Sequence, residues 1–430
     1  MSTNSNVQLS QFHILERTSP SAPPLVDVDK EVRQVLSGVN LPVQKLKGRR
    51  IAVSVGSRGI ASLPDIVRGI CGWLKAQGAQ PFVFPAMGSH GGATAEGQKK
   101  VLEDYGITPE TIGAEVRSSM DAVLVGTSPE GFQVFVDRNA WESDGVIVMN
   151  RVKPHTDFTG KIESGLLKMM AVGMGKITGA RVVHHWGWKF GFEKVLRAMS
   201  AVTLSSGKIL AGVAVVENEV HQICAVRAAL PEGIVAQEES ALALARPLVP
   251  RIPFPDLQIL IVDRLGKNIS GAGMDTKVIG RGVELQPGEA PEIDLIYVRD
   301  ITSESSGNAV GVGFADLIHE RLFRKIDFEK MYINIRTSLN PVAARMPMYS
   351  ASDRDALHLA LGHLGTPGPD EQRIVWIRDT LQLDRIAVSS RLARDAAGLK
   401  GWQVTSEQCN SDFDATGDLT SMFEPEAAQP

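Results

Sequence analysis

Gly145-Val-Ile-Val-Met-Asn-Arg-Val-Lys-Pro-His155 decides the reading of the fold. Its opening residues are apolar without alternation, which suits a strand buried on both faces of a parallel sheet flanked by helices. The same grammar recurs on either side. Ile51-Ala-Val-Ser-Val55 ends at Gly56-Ser-Arg-Gly59, and Pro81-Phe-Val-Phe-Pro85 leads into Gly88-Ser-His-Gly-Gly-Ala-Thr94. Between them Ile66, Ile70, Trp73 and Leu74 fall at helical spacing within Leu63–Ala76, with Gly78 as a stop. Thr94 suits the N-cap of a helix running to about Tyr105. Ala122–Val125 and Gln133–Val136, joined through Pro-Glu-Gly, read as a hairpin. Strand and helix alternate, so the expected class is α/β.

A second half opens after four prolines in Pro247–Pro255, a stiff extended stretch. Strands are expected at Leu257–Val262, Leu295–Val298 and Arg373–Ile377, and a helix over Gly311–Arg324. The expected architecture is two domains, each a mixed or mostly parallel sheet with flanking helices, with the active site in the cleft between them. The expected boundaries are a mobile segment 1–25, a domain 26–246, a Pro-rich linker 247–256, a second α/β domain 257–410 and a mobile tail 411–430.

Composition narrows the function classes. The chain of 430 residues is 43% apolar with a net charge of −4, which argues against a basic nucleic-acid-binding face. Cys71, Cys224 and Cys409 are far apart and offer neither a zinc nor an iron–sulfur spacing. No apolar run reaches the length of a membrane span, and the polar N-terminus lacks a signal-type apolar core. A cytoplasmic protein with a small-molecule substrate, and neither nucleic acid nor membrane as partner, is expected.

Several residues could carry chemistry. Glycines on both sides of His90 allow close approach of a ligand, and the helix after Thr94 favours an anion. Pro154 restrains the backbone that delivers His155. Lys168 stands alone among Leu and Met ahead of Gly173-Met-Gly175, where a desolvated amine could act as base or covalent tether. Gly173-Met-Gly-Lys176 lacks the earlier Gly and the final Ser/Thr of a phosphate-binding P-loop. His184 and His185 are adjacent on an expected helix and so cannot easily share one ion. Gly266–Asp275, with Lys267 and Asn268, resembles an anion-binding turn. Each of these also has a plain reading as a surface turn, a snorkelling lysine or an ordinary loop.

Taken as a set, these residues resemble the lactate racemase family that uses a nickel-pincer nucleotide. Arg58 in Ser54-Val-Gly-Ser-Arg58 resembles that family's active-site arginine; His90 and His155 resemble its two catalytic histidines. Lys168 resembles the lysine that tethers the cofactor, and His184 the nickel ligand. Ser57, Gly173 and Gly175 fall where the cofactor would lie. The resemblance runs from about residue 45 to 240. Val55 stands where the family usually has Asp, the stretch from His155 to Lys168 is longer, and it contains Lys161, a rival tether. Lys267 and Asn268 are the counterparts proposed for substrate-binding residues in the second half.

The resemblance implies a racemase or epimerase of a 2-hydroxy acid. It implies hydride transfer to the cofactor, two imidazoles serving opposite enantiomers, and an arginine holding the carboxylate. Three pincer donors with one histidine complete a planar nickel site. The departures point to a substrate other than lactate, or to a protein that binds a nucleotide or metal without turnover. A redox enzyme with its own iron–sulfur cluster is disfavoured by the scattered cysteines.

Overall fold

The structure, a computed structural model, describes residues 8–56, 59–285, 288–409 and 412–423. The strands in chain order are β1 (Phe12–Arg17), β2 (Arg50–Val55), β3 (Gln80–Pro85), β4 (Glu115–Val116), β5 (Ala122–Thr127), β6 (Gln133–Asp137), β7 (Gly145–Arg151), β8 (Ile209–Glu217), β9 (Ile223–Ala229), β10 (Asp256–Leu265), β11 (Glu292–Ile301), β12 (Leu317–His319), β13 (Met348–Ser350), β14 (Ile374–Ile377), β15 (Arg385–Ser389) and β16 (Trp402–Cys409). They divide between two compact units: Ala22–Val249, and the described residues of Met1–Ser21 with Pro250–Pro430.

The unit Ala22–Val249 holds a six-stranded sheet in the order β4-β3-β2-β7-β8-β9. All neighbours are parallel except β9, which returns antiparallel to β8. β5 and β6 form a separate antiparallel hairpin, as their sequence pattern anticipates. The period-two alternation of a strand distributes β2 between two cores. Ile51, Val53 and Val55 face the layer that includes Val32, Leu36, Ile66 and Ile70 from helices Val28–Gly38 and Leu63–Ala76. Ala52 joins the opposite layer with Leu166, Val183, Leu196 and Leu242, from the segments that follow β7 and β9. Val146–Met149 are buried throughout, in keeping with their unbroken apolar run.

The second unit holds an eight-stranded sheet in the order β13-β12-β11-β10-β14-β15-β1-β16. β13 to β14 run parallel, and β15, β1 and β16 close the edge antiparallel. The two sheets share one winding rule. From β2 the chain steps outward to β3, then returns to lay β7 on the other side; β10, β11 and β14 repeat the move. The strand order therefore reverses between β2 and β7, and between β10 and β14, where open α/β sheets carry ligands.

Three expectations are corrected. The segment 1–25 contains β1, hydrogen-bonded between β15 and β16, with Phe12, Ile14 and Leu15 fully buried. Its partners lie roughly 370–400 residues away, so no local pattern announces them. Gly311–Arg324 is not one helix: it forms a short turn at Val312–Phe314, the strand β12 and the helix Glu320–Lys325. Apolar residues here serve a parallel strand, and His319 caps the helix by accepting from Arg321 N–H. The tail also packs in part. Phe413 and Leu419 form a bridge, Leu419 is buried, and Ser421 Oγ reaches Asp263 Oδ2 at 2.6 Å.

Candidate active site

The reversal between β2 and β7 brings the ends of β2, β3 and β7 to one edge of the sheet. Gly56 follows β2, the His90 loop leaves β3 on one side, and the His155 loop leaves β7 on the other. Ser57 and Arg58 lie outside the described residues. Gly56 before them is close-packed: a Cβ there would stand 3.1 Å from Met169 Cε.

His155 is held by an ordered loop. Lys153 and Ser164 bridge their backbones at 2.9 and 3.2 Å, closing the stretch between them. Glu163, buried inside it, accepts the His155 N–H at 2.5 Å and the Gly160 N–H at 3.1 Å. Arg246 balances that carboxylate at 2.6 Å. The Asp157 N–H donates to His155 Nδ1 at 3.0 Å, so the proton of a neutral ring sits on Nε2. Nε2 in turn meets the amine of Lys168.

Lys168 ends a one-turn helix, Leu166–Lys168, that passes directly into a π turn, Met169–Gly173. Such turns recur at functional sites. Leu166, Leu167, Met169 and Met170 are buried, so the lysine is the polar exception of its run. Glu238, fully buried, accepts the Leu167 N–H at 2.8 Å and so caps this helix from a distance. Burial pushes the Glu238 carboxyl up to about 7, against the pull of the Leu167 and Leu166 amides. Lys161 is exposed and its N–H donates to Glu193 at 2.9 Å, whereas the Lys168 amine lies against His155.

An aromatic series connects His155 to His184. The His155 ring stacks on Phe158 at 4.6 Å, Phe158 on Phe192 at 5.2 Å, and Phe192 meets His184 edge-on at 6.1 Å. His184 lies on the helix Lys176–Phe190. Its Nδ1 is buried and has no hydrogen-bond partner among the described residues. Burial first, and then the charge of Lys168, hold its pKa below the ordinary value, while Asp157 pulls it up. A neutral imidazole with an uncommitted nitrogen is the metal-ligating form. His185 points elsewhere, exposed beside Trp186 at 4.6 Å.

His90 is exposed at the head of the tight turn Gly91–Ala93. Gly91 adopts φ +61°, and a Cβ there would sit 2.3 Å from the Gly97 carbonyl carbon, so only glycine lets the loop close on the helix Ala95–Asp104. Thr94 caps that helix, accepting the Gly97 N–H at 3.0 Å. Gly173 and Gly175 are explained by packing: a Cβ would meet Ala86 O at 2.7 Å and Ala171 O at 2.9 Å respectively.

Lys267 and Asn268 are engaged within their own unit. Lys267 Nζ donates to Gly271 O at 2.5 Å, and Asn268 Oδ1 accepts from Thr302 at 2.8 Å. His319, Asp353 and Asp418 bring ligand-type atoms together in the same unit. Arg299 and Arg321 already contact Asp353, and Arg321 also faces Asp418. Two guanidinium charges occupy the place of a cation, so this cluster ties the tail to the sheet.

The sequence reading passed over Glu163, Phe158, Phe192, Glu238 and Gln98. Weak signals existed: Gln98 shares a helical face with buried Leu102, and Glu238 with buried Ala241 and Leu242.

Residues 11–180 match the lactate racemase N-terminal domain, a span that includes His90, His155 and Lys168 and stops short of His184. No curated protein matches the chain. The fold over 85% of this chain is similar to 94% of the lactate racemase apoprotein from Thermoanaerobacterium thermosaccharolyticum, at 15% identity and a TM-score of 0.53. A protein of Thermotoga maritima is similar over 64% of this chain and 71% of its own, at 17% identity and a TM-score of 0.48. The likeness to the lactate racemase N-terminal domain thus rests on residues 11–180, and the likeness of fold extends over most of the chain.

Proposed function

We propose that the protein is an isomerase that racemises or epimerises a 2-hydroxy acid with a lysine-tethered nickel-pincer nucleotide. The observation that carries this reading is the grouping of Lys168, His155 and His184: an amine against an imidazole, and a second imidazole with a buried, uncommitted nitrogen. This donor set fits the cofactor. Lys168 would hold it covalently and His184 would complete the nickel coordination. When bound, such a group supplies the acceptor for hydride from the substrate carbon.

The chain's own residues do the rest. His155, with its tautomer set by the Asp157 N–H, takes or returns the hydroxyl proton at Nε2. His90, on the loop that leaves β3, serves the opposite hand. Arg58 holds the carboxylate through its planar fork. The π turn and the aromatic series pack beside the amine and His184.

Intact-mass and nickel analysis of protein expressed beside the cofactor pathway tests this reading. The expected result is an adduct and nickel that both disappear in Lys168→Ala and persist in Lys161→Ala. An adduct on Lys161 overturns the tether assignment. Nickel without interconversion of any 2-hydroxy acid enantiomer favours a binding protein.

A further inference from the structure

Lys176 is among the largest fully buried side chains of the protein, yet the proposed chemistry makes no use of it. It belongs to the Gly173-Met-Gly-Lys176 sequence that resembles a P-loop without being one. Lys176 opens the helix that carries His184 and adopts φ +55°, an uncommon conformation for a residue with a side chain. Its ammonium lies 3.0 Å from the equally buried Asp137 at the end of β6. It also donates to the Pro85 carbonyl at the end of β3, and to Gln98 Oε1 at 3.1 Å.

Gln98 carries the connection onward. Its buried amide donates to Gly88 O at 3.0 Å, Met87 O at 3.1 Å and His90 O at 3.5 Å. The path from Asp137 through Lys176 and Gln98 therefore ends on the backbone of the His90 loop. Gly88 completes the seam, since a Cβ there would stand 3.3 Å from Ala180 Cβ on the same helix. A buried charge without partners is costly, so this path has one low-energy arrangement rather than several. Loops that carry catalytic groups need such support to stay within a fraction of an ångström of their working geometry.

We propose that Lys176 is a positioning residue: through Asp137 and Gln98 it locks the His90 loop to the helix that bears His184. The role of His90 itself rests on the function proposed above; the mechanical linkage does not.

The test compares the full-length wild type with Gln98→Met, which cuts the path while leaving the ion pair, and with the double variant Asp137→Asn/Lys176→Met, which removes both charges together. Replacing both members avoids stranding one buried charge. Hydrogen exchange is read by peptide, the imidazoles by NMR of labelled histidine, and turnover by racemisation of the loaded enzyme. The expected result is that amides of residues 86–98 exchange about tenfold or more faster in both variants, while β8 and β9 are unchanged. The His90 signals shift or broaden and those of His319 do not. With turnover, kcat falls about tenfold or more at a KM within about twofold, and the Lys168 adduct is retained.

Wild-type exchange over 86–98 in both variants overturns the proposal. So does acceleration spread evenly through the unit, which marks Lys176 as merely structural. Local loosening with unchanged turnover supports the linkage and overturns the catalytic reading of His90, so the two failures are distinct.

Discussion

The Asp157 N–H and Lys168 Nζ meet opposite nitrogens of one ring: the amide donates to His155 Nδ1 at 3.0 Å, and the amine faces Nε2. The amide side is backbone and accepts no other role, so the ring has one reactive nitrogen. When the Lys168 amine is the free base it accepts the Nε2 proton, and that is also its nucleophilic form. Formation of the tether would release Nε2 for substrate.

His155→Ala should therefore lower racemisation by about 10²–10⁴-fold, the range of general acid–base groups. The Lys168 adduct should remain. Rates in both directions and intact mass check this; an adduct lost with the ring would assign His155 to cofactor attachment instead.

His184→Ala should reduce nickel content far more than His185→Ala, because of these two histidines it is His184 that holds a buried nitrogen without a hydrogen-bond partner among the described residues. Metal analysis of the two purified variants decides it, independently of turnover. Equal loss from both, or greater loss from His185→Ala, would remove His184 as the ligand.

Glu238 sets a pH dependence whose sign follows from its burial. Its carboxyl is raised from the ordinary 4.5 to about 7. Between those values the folded protein keeps a proton that the unfolded chain has lost, so stability falls as pH rises through this window and levels off above it. Glu238→Gln keeps an acceptor for the Leu167 N–H and abolishes the titration. The difference in unfolding free energy between pH 5 and pH 8 should shrink by roughly 3 kcal/mol, from the per-unit value of a pKa shift. Urea melts of both proteins at the two pH values measure it; an unchanged difference would mean that Glu238 stays ionised in the fold.

Asp353 anchors the second unit, receiving Arg299 at 2.6 Å, Tyr297 Oη at 2.6 Å and the Leu419 N–H at 2.8 Å. Asp353→Ala leaves the buried Arg299 only Asp263 as a carboxylate partner among the described residues, removes the acceptor of Tyr297 Oη, and should cost on the order of 3 kcal/mol. Divalent cations or chelator should leave the melting temperature of the wild type unchanged. A cation-induced rise lost in Asp353→Ala would instead make His319, Asp353 and Asp418 a metal site.

Patterns of a few residues were enough to place β2, β3, β7, β10, the β5–β6 hairpin and the Thr94 cap. In each, burial on a sheet or the orphan amides of a helix end act on neighbours in the chain. The same locality explains why His90, His155 and Lys168 stood out: each follows an apolar run or borders glycines. Their resemblance to one family set came from spacing, which also survives in one dimension.

Tertiary structure alone decided what depends on distant partners. β1 reads as an unremarkable Phe-His-Ile-Leu-Glu-Arg until β15 and β16 arrive to bond both its edges. Glu163 needs Arg246, Glu238 needs the amide of Leu167, and Lys176 needs Asp137 and Gln98. A charge in the interior is stable only beside its counterpart, and that counterpart is found by folding rather than by sequence spacing. Residue types and their spacing determined which side chains could do chemistry. The fold determined which of them share a site, because only packing sets Lys168 against His155 and leaves a nitrogen of His184 uncommitted.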